Sequence, residues 1–197
     1  DGVVRDAHAE DFRAATEGMK FSEQARSAAV IDNRYYNGKM GFTVAFPTDW
    51  KVVKRSSTVL AGPNRDNTIL QMSVKRALPE MKPAEFAASM LNLGGAREAE
   101  DFSGDEITGY TALYPGQGGA PPRRIAVLYF GSYAYVFEGR TANAALASFY
   151  DTLFVSSVRS FRPMSGADRD AVLGINVHYL RAPEGISFAK LAEISPQ

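Results

Sequence analysis

The run Ile125-Ala126-Val127-Leu128-Tyr129-Phe130, followed by Gly131-Ser132 and then Tyr133-Ala134-Tyr135-Val136-Phe137, decides the fold. Two β-rich runs separated by two residues, glycine first, predict a hairpin closed by a type II′ turn, which requires positive φ at its first central residue. The register puts Phe130 opposite Tyr133, Leu128 opposite Tyr135 and Ala126 opposite Phe137 on one face, with Val127 opposite Val136 on the other. Both faces are apolar. Such a strand pair escapes water only in the middle of a sheet covered on both sides, by helices or by a helix layer and another element.

The covers lie on either side in the chain. Downstream, Asn143 is a capping residue, and Leu146, Phe149, Tyr150, Leu153, Ser157 and Phe161 recur at helical spacing, predicting a helix over 143–161. Upstream, a helix opens at Pro83, carries the stripe Phe86, Ala87, Met90 and Leu91, and stops at Gly94-Gly95. Four short β-type runs precede it: Gly41–Pro47, Trp50–Lys54, Thr58–Ala61 and Thr68–Val74. Turn-forming residues link them, and they are read as one meander. Two more strands, Glu98–Phe102 and Ile107–Tyr114, flank the acidic turn Ser103–Glu106. The expected fold class is α+β, a three-layer sandwich with a largely antiparallel sheet centred on the hairpin. Residues 5–31 are rich in Ala, Glu and Arg and read as one or two peripheral helices. Pro163 and Gly166 mark a boundary. The expected organisation is an arm over 1–31, the sandwich over 32–163 and an appendage over 164–197 with a strand at 175–180 and a helix at 187–193.

Composition removes whole classes of function. The 197 residues are 45% hydrophobic and 22% charged, an ordinary globular balance. Lys plus Arg equals Asp plus Glu at 22 each, so no overall field gathers nucleic acid or anionic lipid. No apolar run approaches the ~20 residues of a membrane helix, and residues 1–6 lack the basic-then-apolar order of a signal peptide. The absence of cysteine excludes disulfides, thiolate metal sites and thiol nucleophiles.

Catalytic motifs are equally scarce. The two histidines, His8 and His178, stand in different end segments and neither belongs to an H-E-x-x-H, the spacing that puts two zinc ligands on one helix face. There is no G-x-S-x-G elbow. Gly116-Gln117-Gly118-Gly119 lacks the following Lys-Ser or Lys-Thr of a phosphate cradle. The carboxylates Glu98, Glu100, Asp101, Asp105 and Glu106 read as a solvated hairpin end without the spacing of a calcium loop. No catalytic residue, metal ligand or cofactor site is expected in this chain. One stretch is longer than its job requires, Tyr114–Pro122, with three glycines held between prolines. Tyr114, Gln117, Arg123 and Arg124, on or beside it, are the candidate partner-binding residues, since aromatic and Arg side chains favour interfaces.

The segments Met40–Val52, Ser57–Leu60, Ile69–Met72, Tyr135–Gly139 and Val158–Arg162, in that order and spacing, resemble the PsbP-like fold. More narrowly they are similar to the non-catalytic C-terminal region of bacterial periplasmic zinc metalloproteases of the HtpX-like family, family forty-eight of the metallopeptidases. The resemblance covers roughly residues 30–163. Trp50 matches a family position, but large aromatics are usually buried and its expected role is to plug the core at a strand start; Phe46, Tyr135 and Phe137 are likewise expected to be structural. Residues 176–192 look like the first half of a LysM segment, with Gly185-Ile186-Ser187 where G-D-T is expected; the missing Asp argues against peptidoglycan binding. The resemblance implies an accessory module of a cell-envelope metalloprotease in the periplasm. It would position substrate or a partner while a separate domain of the same polypeptide holds the zinc. A stand-alone exported PsbP-like binding protein or lipoprotein is the alternative.

Overall fold

A computed structural model describes residues 28–173 apart from residues 105 and 117. The strand Arg123–Phe130 (β9) pairs with Tyr133–Arg140 (β10) in the register the sequence dictates: Phe130 with Tyr133, Leu128 with Tyr135, Val127 with Val136 and Ala126 with Phe137. Gly131 has φ 57°, the positive value the turn demands. This hairpin is the middle of a seven-stranded antiparallel sheet. Lys51–Arg55 (β4), Thr58–Gly62 (β5) and Ile69–Arg76 (β6) lie on its β10 side, and Ile107–Tyr114 (β8) and Arg97–Gly104 (β7) on its β9 side. The remaining strands, Ala28–Ile31 (β1), Arg34–Asn37 (β2), Phe42–Ala45 (β3) and Arg162–Pro163 (β11), form a small sheet in the order β1-β2-β3-β11.

The hairpin is covered twice. On one face Ile125, Val127, Ala134 and Val136 pack with Phe86 and Ala87 of the helix Pro83–Met90 (α1). On the other, Ala126, Leu128, Tyr135 and Phe137 share a core with Phe42 of the small sheet and with Tyr150, Phe154 and Val158 of the helix Ala147–Arg159 (α2). Phe161 is the hub of that second core, its ring 4.8 Å from both Phe42 and Tyr135. Helix α2 approaches so closely that a Cβ on Gly139 would sit 2.5 Å from the Phe154 ring, which leaves room only for glycine. The large side chains here are almost wholly buried, each worth roughly 1.5–3 kcal/mol of apolar transfer.

Several expectations are corrected. The run Gly41–Pro47 is not part of the same meander as Trp50–Lys54: β3 belongs to the small sheet, and its partners are β2 and β11. Pro163 is not a boundary residue but the edge-strand partner of Phe42, a place where proline costs no ladder bond. Beyond it Met164 and Val172 are buried and the helix Gly166–Leu173 (α3) follows, so the ordered fold continues past 163. Residues 28–31, assigned to the helical arm, are a strand; it pairs with β2 through Asp32-Asn33, whose φ values of 47° and 56° make the primed turn that asparagine and aspartate favour. Helix α1 stops at Met90 because Asn92, not Gly94, enters the left-handed region at φ 51°; Met90 is 55% exposed. Helix α2 begins with a 3₁₀ turn at Ala144–Leu146 capped by the Asn143 side chain, which accepts from the Ala145 N–H at 3.1 Å. The buried stripe of α2 is Tyr150, Phe154, Ser157 and Val158, while Leu146, in the 3₁₀ turn, and Phe149 are exposed. The rest of the arm, together with the strand at 175–180, the helix at 187–193 and the LysM-like stretch, lies outside the described residues.

Candidate binding clefts

The loop singled out in the sequence, Pro115–Pro122, joins β8 to β9 and folds on itself. A Cβ on Gly116 would meet the Ala120 carbonyl oxygen at 2.0 Å and that of Pro121 at 2.4 Å. Gly118 and Gly119 take φ values of 61° and 80°, so the glycine content answers to backbone geometry. Two open clefts flank the loop. One, of about 290 Å³, is lined by Arg123, Glu138, Arg140 and Thr141; the other, of about 380 Å³, by Arg97, Glu98, Leu113 and Tyr114; Gly116 and Ala120 border both.

Of the four candidate contact residues, Gln117 lies outside the described residues. Tyr114 is buried, with its hydroxyl 3.2 Å from that of Tyr110, and burial first, then that neighbour, pushes the phenol well above its ordinary range. Arg124 is also buried. Its Nε and Nη2 donate to the two carboxylate oxygens of Asp151 on α2 at 2.8 and 2.6 Å, with Glu98 a further 3.6 Å neighbour. Both side chains are committed inside the fold and supply little surface. Arg123 is partly exposed and pairs with Glu138 at 3.0 Å, bordering the 290 Å³ cleft. Phe46, Trp50, Tyr135 and Phe137 are core residues, and Trp50 packs its ring on Phe154 at 5.8 Å.

A third cleft, of about 270 Å³, opens between the small sheet and the β4–β6 corner of the large one. Its floor is Phe42, Val59, Met72 and Val74; its rim carries Asn37, Lys39, Lys54 and the Ser56-Ser57 turn. Tyr35 forms one wall. It is nearly fully buried, and its hydroxyl accepts from Asn37 Nδ2 at 3.3 Å; burial raises the phenol pKa and that hydrogen bond partly opposes it. No Asp, Glu or His lines this cleft. Behind the floor, Tyr135 packs edge-on to Phe42 with its hydroxyl buried and without a hydrogen-bond partner among the described residues.

The sequence reading did not reach these rim residues, because the cleft exists only where β3 leaves the large sheet. One signal was present. Lys54 sits directly opposite Val59, so a lysine occupies the inward face of an edge strand, where an apolar residue is expected and an opening explains the charge.

Asp168 and Asp66, two carboxylates away from the clefts described above, are held in structural contacts. Arg162 grips Asp168 of α3 at 2.9 Å through Nη2, and the Ser165 N–H donates to the same carboxylate at 2.7 Å. These contacts, the arginine first, hold the Asp168 carboxyl well below the usual range. Tyr150 donates to Asp66 at 2.5 Å, and Asn143 Nδ2 reaches the same carboxylate at 3.2 Å, which lowers the Asp66 pKa. Among the described residues no three His, Asp or Glu side chains come together in a way that could hold a metal ion, and no helix is long and apolar enough to cross a membrane.

The solution structure of cyanobacterial PsbP (CyanoP) from Synechocystis superposes with a TM-score of 0.50, covering 68% of this chain and 94% of that one at 15% identity. The fold is PsbP-like. A crystal structure from Bacteroides thetaiotaomicron aligns at a TM-score of 0.34 with 8% identity, covering 64% of this chain and 46% of that one, too loosely to bear on the fold. No protein-family model matches the sequence, and neither does any curated protein. What the PsbP-like fold supplies is a rigid twice-covered sheet with clefts at its corners; fold by itself assigns no ligand.

Proposed function

We propose that this chain is a non-catalytic binding module of the bacterial cell envelope that holds a protein partner at its surface. One observation carries the reading: the cleft beside Lys39 and Lys54 joins an apolar floor to a hydroxyl- and ammonium-bearing rim, and no carboxylate or imidazole lines it. Apolar area with a few orienting polar groups is the geometry of recognition. General acid–base work most often uses a carboxylate or an imidazole in reach of the ligand, and neither lines this cleft. The internal pairs Arg124–Asp151 and Arg162–Asp168 fit this reading, since each ties a helix to a sheet.

The same resemblance that points to the PsbP-like fold supports a finer placement: the module works inside a longer polypeptide whose separate domain carries a zinc metalloprotease site, and it presents substrate to that site from the periplasmic side. The stand-alone exported binding protein shares the binding role and lacks the protease. The purified chain, incubated with unfolded casein and zinc, should leave casein intact; fragments would refute the binding reading. The reading frame upstream of Asp1 separates the two placements. If it encodes an H-E-x-x-H, deleting residues 28–173 from the full polypeptide should slow cleavage of a protein substrate at least tenfold and leave a short peptide substrate unaffected. If it encodes no such motif, the protease placement falls and the stand-alone one stands.

A further inference from the structure

The 270 Å³ cleft is specific enough to name what it takes. Its floor of Phe42, Val59, Met72 and Val74 accepts an apolar group, while Lys39 and Lys54 stand at the rim with no lining carboxylate to neutralise them. Among the described residues neither lysine is in a salt bridge. Two rim lysines beside an apolar floor favour a ligand that is apolar at one end and anionic at the other. The volume falls just under the ~300–1,000 Å³ of drug-sized sites, which gives room on the apolar floor for one large side chain. The tight turn at Ser56-Ser57, with Ser56 at φ 35°, places two serines on the same rim.

We propose that this cleft binds the C-terminal residue of a partner polypeptide, its apolar side chain on Met72 and Val74 and its carboxylate held by Lys39 and Lys54. A polypeptide end is favoured over a free short acid because so small an acid offers few atoms for affinity, whereas a peptide adds main-chain contacts along the Asn37 and Ser57 rim. The inference rests on the binding-module reading and specifies its partner chemistry.

The test is calorimetric titration of the full chain with an N-acetylated tetrapeptide ending in phenylalanine, with the same peptide as its C-terminal amide, and with octanoate, while amide shifts are followed by NMR and peptide integrity by mass spectrometry. The expected result is binding of the acid form, shifts at Ser57 and Val74, at least tenfold weaker binding of the amide and of octanoate, and at least tenfold weaker binding of the acid by the Lys39→Gln/Lys54→Gln variant at unchanged melting temperature. Equal binding of acid and amide, full affinity in the double variant, shifts confined to another face, or no binding at all overturns the proposal and leaves the module reading standing. Tightest binding of octanoate overturns the polypeptide ligand in favour of a free acid. Cleavage of the peptide by the chain sinks the module reading itself.

Discussion

Arg124 and Asp151 lock the central strand to the helix that covers it, through two parallel hydrogen bonds of 2.8 and 2.6 Å from Nε and Nη2. The guanidinium is 5% exposed and the carboxylate 20%. A bidentate pair in that setting fixes the angle of α2 against β9, and its worth depends on keeping both partners. Asp151→Ala leaves the buried guanidinium with only the exposed Glu98, 3.6 Å away, and should cost about 3 kcal/mol in chemical denaturation. Replacing both residues by apolar ones of similar volume, Arg124→Met with Asp151→Leu, should recover most of that loss. A double variant as unstable as the single one would show that the pair does more than neutralise itself.

Tyr135 makes the opposite case. Its hydroxyl is buried without a partner among the described residues, and burial drives the phenol well above its ordinary range. Removing an unsatisfied buried polar group while keeping the ring should be neutral or stabilising. Tyr135→Phe is therefore expected to hold or raise the thermal midpoint. A loss of more than about 1 kcal/mol would mean that the hydroxyl has a partner in solution, since a satisfied hydrogen bond has about that worth.

The hairpin that contains Tyr135 was legible in the sequence to the residue, because pairing register follows from the two-residue turn and the alternation of two apolar faces. The second sheet was not. Phe42–Ala45 reads as a strand in either sheet, and only the return of Arg162-Pro163 to pair with it separates it from the meander, a contact that no local pattern encodes. The helix stripe was misphased at its start: Leu146 falls in the 3₁₀ turn before the helix proper, and Phe149 lies to one side of the buried line through Tyr150, Phe154, Ser157 and Val158. At the candidate sites, the Pro/Gly loop stood out by length, but the burial of Tyr114 and Arg124 beside it depends on α1 and α2. The lysine-rimmed cleft required the second sheet and so stayed invisible.

In that loop a single methyl should be worse than a large deletion. A Cβ on Gly116 meets two main-chain carbonyls that cannot swing away, so Gly116→Ala should cost roughly 1–3 kcal/mol. Replacing residues 116–121 by Asn-Gly removes those carbonyls with the glycine, and the slow dependence of closure entropy on length keeps the change within about 1 kcal/mol. Thermal unfolding of the two variants side by side checks the order; greater damage from the deletion would make the loop part of the fold's support.

The Arg162–Asp168 clasp sets a pH dependence whose sign follows from the lowered carboxyl. Asp168 binds its proton less readily in the folded chain than in the unfolded one, so its stabilisation is present above the unfolded value of about 4 and fades as pH falls toward the folded one. Wild type should exceed Asp168→Asn in melting temperature at pH 7, and the gap should narrow progressively below about pH 4. A gap that is constant from pH 7 to pH 2 would show that the charge of Asp168 contributes nothing.

Placing a photo-reactive residue at Ser57, on the rim of the lysine cleft, and irradiating the producing cells tests most directly whether that cleft is the face that meets a partner. Phe149, exposed on the outer side of α2, serves as the control position. The expected result is a discrete adduct from position 57, carrying the C-terminal peptide of another protein by mass spectrometry, lost on Lys39→Gln/Lys54→Gln and missing from position 149. Adducts at 149 but not at 57, or an adduct at 57 that survives loss of both lysines, would contradict it.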